Sequence, residues 1–169
     1  DNGLSSINRD TKESKRYDIV PDKIKSLYFD KKNDVLWIGT NGNGLKKLDT
    51  KLSKLTTYNV ESGLPNNVIY GIVPDANHNL WLSSNRGITK FTTNASKSTI
   101  VNYDNYDGLQ ALEFNTGAYF KDSNNYIYFG GLDGINWFNP KQLTLNTSKP
   151  KTIISKFEIF TTDQELVQH

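Results

Sequence analysis

With 169 residues the chain suits one domain or slightly more, and its 36% hydrophobic and 12% aromatic content can build a core on pleated sheets, where aromatic and β-branched side chains pack well. A net charge of +2 argues against nucleic acid or an anionic membrane surface as a partner, since the lysines are scattered apart from pairs such as Lys31-Lys32 and Lys46-Lys47, expected on solvated turns and strand edges. The absence of cysteine excludes disulfides, thiol catalysis and cysteine-ligated metal, and no stretch reaches the roughly 18 apolar residues of a membrane span.

The chain opens on Asp1-Asn2-Gly3 with no signal peptide in view, and it reads as an internal segment. Residues 1–20 hold Gly3-Leu4 and, 14 positions after the glycine, Tyr17; the same interval separates Gly44 from Tyr58. This stretch is expected to be the outer strands of a truncated unit. Residues 21–62 carry a full unit: Ile24 to Asp30, a turn through Asp34, Leu36 to Thr40, Gly44 to Leu48, and Thr56 to Tyr58. Residues 63–107 repeat it as Val68 to Asp75, Leu80 to Ser84, Gly87 to Phe91 and Ile100 to Tyr103. Residues 108–149 repeat it again as Gly117 to Asp122, Ile127 to Gly131 and Gly134 to Phe138. Over 141–149 the strand pattern is weak, which leaves open that this last unit takes its outer strand from elsewhere. No helix of useful length is predicted.

Equivalent positions lie 41 to 47 residues apart. Asp30, Asp75 and Asp122 match one another and are expected to form turns. Trp37, Trp81 and Tyr128 match and are expected to pack between units; Gly44, Gly87 and Gly134 match and are expected to turn the chain tightly between second and third strands. Leu80-Trp81-Leu82 is apolar at consecutive positions, as in a strand covered on both faces. A four-stranded unit of this length is a propeller blade. The fold class is therefore all-β: a partial β-propeller of about three four-stranded antiparallel blades, a fragment of a larger propeller. Three blades do not close a ring, which takes roughly four to eight, so bare apolar flanks and self-association are expected.

Leu36-Trp37-Ile38-Gly39-Thr40 with Gly44-Leu45, and Leu80-Trp81-Leu82-Ser83-Ser84 with Gly87-Ile88, resemble the two-component regulator propeller repeat. Gly63-Leu64-Pro65-Asn66-Asn67-Val68 is similar to that family's blade junction. Glu113-Phe114-Asn115, Tyr128-Phe129-Gly130-Gly131, Gly134-Ile135 and Phe138-Asn139-Pro140 resemble its last blade. Residues 150–169, with Ile153 to Phe160, resemble a linker and the first strand of the Ig-like domain that follows. The resemblance covers nearly the whole chain. It implies the extracytoplasmic, periplasmic sensor of a bacterial hybrid histidine kinase and response regulator. There the propellers and Ig-like domain lie outside the inner membrane, a transmembrane helix leads to the kinase, and the ligands are oligosaccharides. It also implies that the partners are the other blades and the Ig-like domain of the parent chain.

In a blade the loop between strands two and three shares a face with the junction to the next blade, and loops on a rigid scaffold are where binding concentrates. A glycan needs hydrogen-bonding side chains and a ring to lie against. Asn41, Asn43, Asn66, Asn85, Arg86, Asp107, Gln110 and Glu113 supply the former, joined by Asp104, and Tyr106 supplies the ring. Arg86 could grip an acidic sugar's carboxylate or sulfate through its forked guanidinium. No catalytic residue, cofactor or metal site is expected. Asp75-Ala76-Asn77-His78-Asn79 begins like a calcium loop but has Leu80 and Arg86 where that loop needs Gly and Glu, so it is read as a hairpin turn. The sequons at Asn94 and Asn146 mean little in a bacterial protein, and the carboxylates Asp104 and Asp107 are a weak case for acid–base hydrolysis. The leading function is therefore a sensor module that binds an oligosaccharide; the alternatives are a protein-interaction propeller without small-molecule ligand and, more remotely, a propeller enzyme.

Overall fold

The computed structural model describes residues 3–93, 98–143, 158–160 and 166–168. The sequons at Asn94 and Asn146, most of the weak pattern over 141–149 and most of 150–169 lie outside the described residues. Strands β1 (Leu4–Ile7) and β2 (Ser14–Tyr17) form an antiparallel pair. A four-stranded sheet follows from β3 (Ile24–Asp30), β4 (Val35–Thr40), β5 (Leu45–Asp49) and β6 (Lys54–Tyr58), each paired antiparallel with its sequence neighbour. A second has β7 (Gly71–Pro74), β8 (Leu80–Ser84), β9 (Gly87–Thr93) and β10 (Ser98–Tyr103) in the same order. The third has only β11 (Phe114–Lys121), β12 (Ile127–Gly131) and β13 (Gly134–Phe138), so among the described residues it is one strand short of the expected four. Of the stretch expected to begin an Ig-like domain, a hairpin of β14 (Glu158–Phe160) and β15 (Leu166–Gln168) is described.

The first strands of the three larger sheets, β3, β7 and β11, lie against one another while the outer strands splay away, which is radial stacking about an axis. The period-2 alternation of strands sends neighbouring side chains to opposite faces, so each sheet feeds two cores. Trp37 on β4 joins Ile72, Leu80, Leu82 and Phe91 of the second sheet, while its neighbour Ile38 joins Leu4 of the first pair and Val20 of the junction that follows it. One repeat on, Trp81 joins Phe114, Ile127 and Phe129 of the third sheet. Trp37 and Trp81 are thus buried between sheets as expected.

Tyr128 departs from that expectation. It is only partly buried, because among the described residues no further sheet covers its face; Phe120 beside it is exposed, with ring centroids 6.1 Å apart. Its hydroxyl still donates to Asp122 Oδ2 (3.3 Å), the same bond that Trp81 Nε1 makes to Asp75 Oδ2 (3.1 Å). The lysine pair Lys46-Lys47 also departs: it lies within β5, not on a solvated turn. Lys47 rides over the Trp37 ring at 5.7 Å, and Lys90 does the same over Trp81. The Asp75 turn closes on itself as a hairpin: Oδ1 accepts from the backbone of Asn77 and Asn79, Oδ2 from Asn79 Nδ2 and Trp81, with His78 at φ 63°.

Gly44 and Gly87 turn the chain between second and third strands at φ 75° and 86°, and a Cβ at either would collide with the carbonyl of Tyr58 or Tyr103. Gly87→Ala is expected to cost about 3 kcal/mol, combining left-handed backbone strain with overpacking. Gly42→Ala, at φ 112° but with open space around it, should cost about half that. Urea unfolding midpoints of the two variants check the difference; equal midpoints would mean the Tyr103 carbonyl moves aside.

Candidate ligand-binding face

The loops joining second to third strands are bonded through their backbones to the junctions between sheets. Gly42 and Gly44 N–H donate to the Asn67 carbonyl (3.1 and 2.8 Å), and Ile69 N–H donates to the Thr40 carbonyl (3.0 Å). Gly87 N–H donates to the Leu112 carbonyl (2.7 Å) and Leu132 N–H to that of Glu113 (3.2 Å). The two sets of segments therefore share one end of the sheets, and their backbones are held rigidly.

Both junctions are built alike. Asn59 caps a 3-10 turn over Val60–Ser62, and Asp104 caps one over Asn105–Asp107; in each, the cap and the third residue bond each other's backbone, and a left-handed glycine, Gly63 or Gly108, ends the turn. The signal is present in the sequence as Asn/Asp-x-x-Ser/Asp-Gly-Leu, a capping box followed by a glycine stop.

This geometry divides the candidate residues. Asn43 donates through Nδ2 to Asp22 (2.6 Å), Asn66 Oδ1 accepts from Val68 N–H (2.7 Å), Asp107 Oδ2 accepts from Asp104 N–H (3.0 Å), and Gln110 Oε1 accepts from Asp133 N–H (3.0 Å). Those side chains hold the loops. Asp104 is occupied in the same way, accepting from Tyr106 N–H at 2.8 Å, so Asp104 and Asp107 act as caps and not as an acid–base pair. Asn41, Arg86 and Glu113 are exposed with no side-chain bond among the described residues, and Tyr106 is 93% exposed at its turn. Asn85 is half-buried, its Oδ1 without a hydrogen-bond donor. Arg86 is anchored by its backbone, which donates to Ser84 Oγ at 3.0 Å.

The face is a surface more than a single cavity. A pocket of about 140 Å³ between the second and third sheets includes Asp107 and none of the other candidates. Beside it, burial and then the Asp107 carboxylate push the Tyr103 phenol above its ordinary pKa.

A second group escaped the sequence reading. Asp22, in the junction from the first pair to the first full sheet, is buried with Lys46 Nζ 3.4 Å from Oδ2 and Asn43 on Oδ1. Lys46 Nζ also donates to Thr57 Oγ1 at 3.3 Å. The pair spans 24 positions and has no local pattern to disclose it.

Residues 63–86 match the family described as two component regulator propeller. A curated protein named Histidine kinase P4, from Formosa agariphila, is 33% identical over 149 residues, which is 80% of this chain and 11% of that protein. Among solved structures, the extracellular domain assigned to the hybrid two-component system BT3049 of B. thetaiotaomicron is 25% identical, with a TM-score of 0.74 over 98% of this chain and 23% of that one. The extracellular domain of BT4673 from the same organism shares the fold at 19% identity and a TM-score of 0.64, over 80% of this chain and 18% of that one. The chain thus spans about a tenth of the curated relative and about a fifth of the solved domains. The resemblance carried by Leu80–Ser84 and Gly63–Val68 is to two-component regulator propeller repeats, as the sequence indicated.

Proposed function

We propose, from a chain built of two-component regulator propeller repeats, that it is the ligand-sensing segment of a periplasmic sensor domain in a hybrid two-component system, detecting an oligosaccharide and relaying to a histidine kinase. The observation that carries this reading is the split among loop residues. Asn43, Asn66, Asp107 and Gln110 are spent on rigid loops, which leaves Asn41, Asn85, Arg86 and Glu113 with hydrogen-bonding capacity and Tyr106 with an exposed ring. Rigid loops with unspent polar groups suit a ligand rich in hydroxyls, because little order must be lost on binding.

The experiment is a thermal-shift screen of the intact ectodomain against a panel of neutral and acidic oligosaccharides. A stabilising glycan is expected, and Arg86→Ala should weaken it about tenfold, the loss of one charge-assisted hydrogen bond, without changing the unliganded melting temperature. Wild-type response in Arg86→Ala and Tyr106→Ala together would remove these loops from the binding site.

A second reading, an interaction scaffold, is favoured by the apolar face of the third sheet, where Phe120, Ile135 and Trp137 are exposed. Other blades of the parent chain, or another copy, would pack there. A panel in which no glycan shifts the ectodomain favours this reading.

A further inference from the structure

The loop between β4 and β5 reads Asn41-Gly42-Asn43-Gly44, two consecutive Asn-Gly pairs. An asparagine followed by glycine is open to attack on its side chain by the next backbone nitrogen, because glycine has no Cβ to block the approach. A further pair, Asn2-Gly3, has its asparagine outside the described residues. By sequence Asn41 and Asn43 are equivalent; their surroundings separate them.

Asn43 is tied down at the atoms such a reaction uses. Its Nδ2 donates to the buried Asp22 carboxylate at 2.6 Å, a charge-assisted bond, and its backbone N–H donates to Thr40 Oγ1 at 3.0 Å. The attacking nitrogen would be that of Gly44, which donates to the Asn67 carbonyl at 2.8 Å. Gly44 is buried and pressed against the Tyr58 carbonyl, so the chain has no space to rearrange there. Asn41 differs in each respect. It is exposed, and its amide has no hydrogen bond among the described residues. Gly42 is exposed as well, at φ 112° with nothing within 4 Å of its Cβ position. The restraint on the Gly42 nitrogen is its bond to the Asn67 carbonyl at 3.1 Å. That oxygen keeps the shorter bond from Gly44 when Gly42 lets go, so release leaves no acceptor unpaired.

We infer that Asn41 is a self-modification site, converted in the folded chain to aspartate and isoaspartate while Asn43 is protected. The Gly42 nitrogen loses its proton to solvent base and adds to Asn41 Cγ. A C–N bond forms, the Cγ–Nδ2 bond breaks, and ammonia leaves from a succinimide ring. Water then opens the ring: at the side-chain carbonyl it restores the ordinary backbone as aspartate, and at the backbone carbonyl it routes the chain through the former side chain as isoaspartate. Nothing is oxidised or reduced; an amide nitrogen is exchanged for a water oxygen. Either product puts a carboxylate on the loop face. Isoaspartate also lengthens the backbone by a methylene where Asn41 bridges Val68 and donates to the Lys23 carbonyl at 2.9 Å, so it loosens the loop from both junctions. This chemistry is independent of whether an oligosaccharide binds the loops.

The full chain, folded in buffer or unfolded in urea, is incubated at mildly alkaline pH, digested and mapped by mass spectrometry, with fragment ions assigning the site. In the fold, Asn41 is expected to convert at least about tenfold faster than Asn43, the penalty of releasing one charge-assisted bond. The rate should rise with pH, because the attacking nitrogen must lose its proton. In urea the two asparagines should convert alike. Asn41→Gln, whose amide carbon lies one bond too far for the same ring, should remove the conversion of the folded loop. Folded protein carrying isoaspartate should exchange amide hydrogens faster at residues 67–69. Equal rates at Asn41 and Asn43 in the fold, conversion first at Asn43, or an unchanged Asn41 over a period in which the urea-unfolded chain converts both would each overturn the inference.

Discussion

Trp81→Ala is expected to lower the unfolding free energy by about 3–5 kcal/mol, read as a large fall in denaturant midpoint with little change in slope. The indole is 1% exposed, stacked on Tyr103 and 4.7 Å from Phe138, so its removal opens a cavity across the seam between second and third sheets. It also takes one donor from the buried Asp75 carboxylate. Trp81→Phe should recover most of the packing but not that bond, and so cost about 1–2 kcal/mol. Tyr128→Ala, at the same place in the repeat, should cost about 1 kcal/mol, because half of what a buried ring gains is absent on an uncovered face. Equal losses at Trp81 and Tyr128 would show that another surface covers the third sheet in solution.

Asp22→Ala should cost about 3 kcal/mol. It strands the Lys46 ammonium, whose side chain is 12% exposed, and removes the acceptor of Asn43, so a charge stays buried without its partner. Thr57 keeps one bond to that ammonium, which holds the loss to the lower end of the usual range. Asp18→Ala provides the contrast. The Arg16–Asp18 pair is 69% and 86% exposed, and its loss should fall within about 0.5 kcal/mol. The double variant Asp22→Ala/Lys46→Met should regain much of the stability, since an apolar side chain leaves no unpaired charge. A double variant no better than Asp22→Ala would mean that Asp22 acts by shaping its junction and not through Lys46.

The same two residues mark how far the sequence could be read. Lys46 sits beside Lys47 in a run that looks like a solvated strand edge, and only the approach of Asp22 from another segment buries it. Among the candidate ligand residues, Asp104 and Asp107 look like free carboxylates until the capping box is recognised; that pattern was present 45 positions earlier as Asn59 and Ser62. Gln110 offered no such clue. Its bond runs to Asp133, and its amide lies in the space left by Gly131, a residue brought beside it by pairing across the third sheet.

The sequence by itself determined the strands, their turns and their recurrence, because alternation at period two, left-handed glycines and carboxylate turns act over a few residues and need no distant neighbour. Tertiary structure alone decided which copy of a repeated residue is covered: Trp81 and Tyr128 share a position, as do Ile88 and Ile135, yet one of each pair is buried and the other is not. Burial depends on the sheet stacked opposite, and that sheet is formed by a different stretch of the chain.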